Sequence, residues 1–217
     1  KQIRFTRHLT IKQAKTDQYG IIPCAAIQNI EIKCFQSFES PTYFSYQWIR
    51  MFDSVGEPIN VRKNATVTQV NCGKDAGPPG ILFFEDGSNE RTHYGMWRGE
   101  FPRDDNKPPE APITPSKNTP ANSGSILVHF TEMTMVTAIV LYTFRHPRTI
   151  ASVDISAKNV QILVENRLIW SGRLRHRPFA EEDEAASPND CATTVFLTAE
   201  KDVQETVLKN CFPAMYK

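Results

Sequence analysis

Four side chains between positions 86 and 93, Asp86, Asn89, Glu90 and His93, are the nearest this sequence comes to a metal loop. Calcium takes six or more oxygen ligands, and Asp86-Gly87-Ser88-Asn89 supplies few, so the stretch reads as a turn. Glu100, Asp104 and Asp105 could pair as acid and base. They stand beside a Pro-rich loop, without the apolar enclosure that drives two carboxylate pKa values apart. The five histidines are scattered. No Ser or Cys lies in a G-x-S-x-G context, and there is no G-x-x-x-x-G-K-[ST] phosphate loop. No catalytic constellation assembles, so the expectation is a protein that is not an enzyme, with no cofactor and no metal.

Binding chemistry is better represented. Arg145, His146 and Arg148 form one basic cluster, and Arg173, Arg175, His176 and Arg177 form another. Guanidinium groups pair bidentately with carboxylates, so together the clusters suit an acidic protein surface. The competing reading is a solvated loop neutralised by Glu181, Glu182, Asp183 and Glu184. His93, Trp97 and Arg98, with Tyr94 and Phe101 nearby, offer a different site, a ring-and-cation platform for a sugar or a lipid headgroup. Against it stands the simpler role of Trp97 as a plug at the end of the core.

The elements that must carry these residues are strands. Ile126, Val128 and Phe130 share one face of a strand. Ala138, Val140, Tyr142 and Phe144 share a face of the next, while Ile139 and Leu141 load its other side. A strand apolar on both faces belongs in a sheet covered on both sides. Val160, Ile162 and Val164 alternate with Gln161 and Leu163, and Glu165-Asn166-Arg167 turns the chain into Leu168-Ile169-Trp170. Ile30, Ile32 and Cys34 alternate with Glu31 and Lys33, and further strands are expected at 46–52, 65–70 and 193–197. One helix is expected at the C-terminal end, with Thr198 as its cap, Glu200 and Asp202 in its first turn, and Pro213 beyond its end. The predicted fold is all-β, an antiparallel sandwich or jelly roll with long loops and a short C-terminal helix. Residues 1–29 form an arm or linker and 30–212 a single domain, interrupted by a Pro-rich insertion at 102–125.

Composition narrows the partners. The 217 residues carry 25 basic and 24 acidic side chains, a net charge of +1, which gives no general attraction to nucleic acid or an anionic membrane. No apolar run reaches the roughly 18 residues of a membrane span. The five cysteines are odd in number, widely spaced and without a C-x-x-C pair, as expected for free thiols in a reducing compartment. The chain begins without Met, as a piece of a longer protein would.

One ordered set of phrases resembles the repeated domain of the katanin-interacting protein family. It runs through Asp53-Ser54-Val55-Gly56-Glu57-Pro58-Ile59, Phe84-Glu85-Asp86-Gly87-Ser88-Asn89, His93 to Trp97, Phe101-Pro102, and Ile126-Leu127-Val128-His129-Phe130. Ile139 to Phe144, Arg145 to Thr149, Lys158 to Gly172 and Thr194 to Val207, with Thr194-Val195-Phe196-Leu197-Thr198 and Val203 in its closing motif, complete it. The likeness covers roughly residues 30–210 and marks a divergent member. An aromatic-Asn-Tyr-Asn element is replaced by Tyr142-Thr143-Phe144-Arg145-His146, Ser156 or Ala157 stands where a Gly is expected, and the Pro-rich insertion is long. The resemblance implies a galactose-binding-like β-sandwich in a cytoplasmic, cytoskeletal protein of the cilium, axoneme or basal body. Its implied partners are tubulin or microtubules, other ciliary proteins, and katanin. The alternative is a discoidin-like module that binds carbohydrate or a lipid headgroup.

Overall fold

Period-two burial carries most of the architecture. The structure, a computed structural model, describes residues 26–83, 97–102, 123–143, 154–175 and 192–211. Five antiparallel strands make the larger sheet: β1 (Ala26–Ser37), β4 (Ala65–Val70), β6 (Gly124–Met135), β8 (Ala157–Val164) and β9 (Arg167–Arg173), in the order β4-β6-β1-β8-β9. A three-stranded sheet has the order β10 (Ala192–Phe196), β7 (Ala138–Tyr142), β3 (Trp48–Phe52). A two-stranded sheet pairs β2 (Tyr43–Tyr46) with β5 (Trp97–Glu100). The run expected at 46–52 is therefore part of a longer one, 43–52, broken at Gln47 so that its halves pair with different strands.

The layers stack through one core. Ile30, Ile32, Ile126, Val128 and Ile162 from the larger sheet meet Phe44, Tyr46, Ile49, Met51, Ile139 and Leu141 from the smaller ones. Each side chain of this kind contributes about 1.5–3 kcal/mol when fully buried. The chain is thus an all-β sandwich. β7 has the two apolar faces its sequence demands: Ile139 and Leu141 enter the main core, whereas Ala138, Val140 and Tyr142 join a second cluster on the outer face.

That second cluster is closed by a helix, α2 (Lys201–Asn210), which brings Val203, Val207 and the following Cys211 onto Trp48, Phe52, Val140 and Tyr142. Its N-cap is Glu200 rather than Thr198. Thr198 sits two residues earlier, where its hydroxyl accepts the Glu200 N–H and its carbonyl accepts from Gln204 Nε2. Arg50, nearly buried between Trp48 and Phe52, donates to the carbonyl of Asn210 at 2.6 Å. A cation is thereby set at the negative end of the helix dipole. Tyr142 Oη also donates to the Cys211 carbonyl.

Two short elements escape sequence reading. A single helical turn, α1 (Val61–Asn64), is capped by Asn60, whose side chain accepts from Lys63 N, and a 3-10 turn covers Pro79–Leu82. The β8–β9 hairpin is tighter than expected. Only Glu165 and Asn166 form its loop, both with positive φ (49° and 62°), so Arg167 already pairs with Val164. The strand expected around Ile30–Cys34 is longer, and β1 spans Ala26–Ser37. The 86–90 loop, Asp104, Asp105 and nearly all of the 102–125 insertion lie outside the described residues.

Candidate interaction rim

Where β9 runs out, its alternation becomes a surface. Leu174 is buried and donates its N–H to the Lys158 carbonyl at 2.8 Å, which leaves Arg173 and Arg175 exposed on either side of it. The backbone of Arg175 is held from the smaller sheet: its N–H donates to Thr193 Oγ1 at 2.8 Å, and Thr143 Oγ1 donates to its carbonyl at 2.5 Å. Arg173 and Arg175 therefore stand on fixed backbone at one edge of the sandwich.

The neighbouring strand end adds to them. Ser37 pairs antiparallel with Ala157, so Phe38 falls opposite Ser156, two residues before Lys158. Phe38 N–H donates to Ser156 O at 3.0 Å. The Arg173 guanidinium carbon lies 5.3 Å from the centre of the half-buried Phe38 ring, and Lys158 Nζ lies 5.8 Å from it. Two carboxylates are near in sequence, and both are held by backbone amides: Glu39 by the Asp154 N–H at 2.8 Å, Asp154 by the Ser156 N–H at 2.9 Å. Among the described residues, no carboxylate forms an ion pair with Lys158, Arg173 or Arg175. The sequence pointed to Arg173 and Arg175 but missed Phe38 and Lys158, because only strand register brings them together.

The other sequence-derived candidates fare differently. Arg145, His146, Arg148 and Arg177, and the acidic run at 181–184, lie outside the described residues, as does His93. Trp97 is corrected from platform to core. It is 1% exposed, its indole N–H donates to Gly77 O at 2.7 Å, and Phe44 packs edge-on against it at 5.6 Å. No face of that ring is open to a ligand. Arg98, next on β5, is exposed and stacks over Tyr43 at 4.9 Å.

Among the described residues, the buried thiols and the Tyr46 phenol are poorly suited to reaction. Burial pushes the Cys34 thiol up to about 12 and those of Cys72 and Cys211 to about 11, and it raises Tyr46 well above the usual phenol range. At neutral pH these thiols carry almost no thiolate, the form that attacks or binds metal.

Compared with models of protein families, with curated proteins and with solved structures, the chain gives no match.

Proposed function

We propose that this sandwich is a non-catalytic interaction module that binds an acidic protein surface along the rim formed by Arg173 and Arg175. The observation behind it is that two arginines stand on backbone fixed by both layers, with no carboxylate answering them among the described residues. Isolated exposed ion pairs yield about 0–1 kcal/mol each, so useful affinity needs several contacts at once or many copies on a lattice. The resemblance to the katanin-interacting family supplies the candidate partners: microtubules, whose surface is acidic, or other ciliary cytoskeletal proteins, with katanin among them. A place in the cytoplasm at the cilium, axoneme or basal body belongs to the same proposal.

The test is co-sedimentation with microtubules of a variant carrying Arg173→Glu, Arg175→Glu and Arg177→Glu. Binding should weaken, and the difference should shrink as ionic strength rises. Sedimentation equal to wild type at low salt would refute the rim.

A discoidin-like carbohydrate or headgroup module is the second reading, and the exposed Arg98 over Tyr43 is the observation that keeps it. Arg98→Ala, not Trp97→Ala, is its proper probe, since losing Trp97 would disturb the core. Glycan or liposome binding abolished by Arg98→Ala with an unchanged melting curve would favour it over the rim.

A further inference from the structure

We infer, resting on the acidic-partner reading, that Phe38 holds Lys158 and Arg173 as a two-pronged receptor for a peptide bearing neighbouring carboxylates. Cationic stems often lie on aromatic rings simply to cover them. Here the two heads approach the same ring, Cζ of Arg173 at 5.3 Å and Nζ of Lys158 at 5.8 Å, and neither is paired to a carboxylate among the described residues. Like charges gathered at one ring repel each other, and the ring quadrupole offsets only part of that repulsion. A ligand that sets negative charge between them removes the rest.

The geometry selects among anions. Arg173 offers a planar fork that matches a carboxylate edge-on, while Lys158 offers a compact point charge. Arg173 opposes Asn159, the residue after Lys158, so the two cations project from adjacent strands. Cations that project from neighbouring strands suit alternate acidic residues of an extended segment, because those share one face. Nearby, Glu39 and Asp154 each accept a backbone N–H, Asp154 in the interior and Glu39 at the surface, and neither forms an ion pair with Lys158 or Arg173. The partner is therefore an acidic peptide tail or loop, recognised at a site the basic clusters alone did not define.

The experiment is fluorescence anisotropy of a labelled hexaglutamate peptide with the full chain, alongside microtubule co-sedimentation. Phe38→Leu should weaken peptide binding about five- to tenfold, because the peptide must then order two long side chains that the ring no longer holds in place. Lys158→Met, which keeps the stem and removes the charge, should weaken it comparably, and it keeps the test open if the Phe38 variant folds poorly. If Arg173→Glu and Arg175→Glu weaken binding while Lys158→Met leaves it at wild type, the two-pronged receptor is overturned and the rim survives. If wild type ignores the peptide but still sediments with microtubules through its arginines, the same division holds. If it binds neither, both ideas fall. Equal affinity for a single-stranded oligonucleotide of the same charge would overturn selectivity for carboxylates.

Discussion

Replacing Gly124 by Ala tests how tightly the two layers are fitted. Gly→Ala changes usually add about 0.4–1 kcal/mol by restricting the unfolded chain. Gly124 should do the opposite. A Cβ at that position would lie 2.4 and 2.5 Å from two ring carbons of Phe44 and 3.1 Å from the Asn71 carbonyl oxygen, whereas carbon–carbon contact is normal near 3.5–4.0 Å. The ring or the strand would have to retreat by about 1 Å to restore ordinary contact. Neither is free to do so. Phe44 is fully buried, stacked on Phe101 at 4.7 Å and edge-on to Trp97 and Tyr46 at 5.6 and 6.2 Å. β6 is hydrogen-bonded on both sides, to β1 and to β4.

The cost of Gly124→Ala should sit at the upper end of overpacking, about 3 kcal/mol. In a domain of this size that lowers Tm by about 6–12 °C. Phe44→Leu alone should cost about 1–2 kcal/mol for the volume it vacates. Combined, the two should compensate, because the new methyl enters space the ring has left, with a coupling energy of about 1 kcal/mol or more. Urea unfolding of the four proteins, followed by tryptophan fluorescence and circular dichroism, measures the cycle. Additivity within about 0.5 kcal/mol, or a stabilised single Gly124→Ala variant, would refute the close-approach account.

Glu165 provides a test against pH. Partial burial pushes its carboxyl up, but hydrogen bonds from the Asn29 side chain and from the Asn29 and Gln28 N–H groups, together with the nearby His129, bring it below the ordinary carboxylate range. A depressed folded pKa stabilises at pH above the unfolded value and ceases to do so as pH falls through the folded one. The stability gap between wild type and Glu165→Gln should therefore be constant near neutrality and close in acid. A gap that persists in acid would show that the carboxylate charge is irrelevant. Arg50→Ala should loosen α2 before the rest of the fold, removing a charge-assisted bond of about 1.5–3 kcal/mol, and hydrogen exchange should quicken at 203–210. Unchanged protection there would dismiss Arg50 as the anchor. Iodoacetamide at mildly alkaline pH should leave Cys34, Cys72 and Cys211 unmodified until denaturant is added, as mass spectrometry would show; rapid native labelling of Cys34 would contradict its burial.

What the sequence made legible was the part written in local alternation. Ile126, Val128 and Phe130 lie inward as their spacing demands, β4 spans the expected 65–70, and β7 is covered on both faces because both of its faces are apolar. Boundaries were less visible. β6 continues to Met135 after its apolar signal has ended, since beyond an irregularity at 130–133 Thr134 and Met135 pair again with Ile27 and Ala26 of β1. Leu208 fits helical spacing yet is 51% exposed, because the face of α2 against the sheet is only wide enough for Val203, Val207 and Cys211. For the rim, Arg173 and Arg175 were visible as a charge cluster. Phe38 and Lys158, 120 positions apart in the chain, became neighbours only through the antiparallel register of β1 with β8. Trp97 shows the converse: its ring and adjacent cation suggested a ligand site, but its indole N–H is satisfied by Gly77, which frees it to be interior.

Because the outer face of the three-stranded sheet is largely apolar, with the Arg50 guanidinium set among its rings, that surface depends on the segment laid over it. A protein shortened after β10 would bare Trp48, Phe52, Val140 and Tyr142 together, an adhesive area of the kind that drives self-association. Residues 201–211 are thus a built-in cover, and any recombinant fragment of this module should keep them to remain monodisperse.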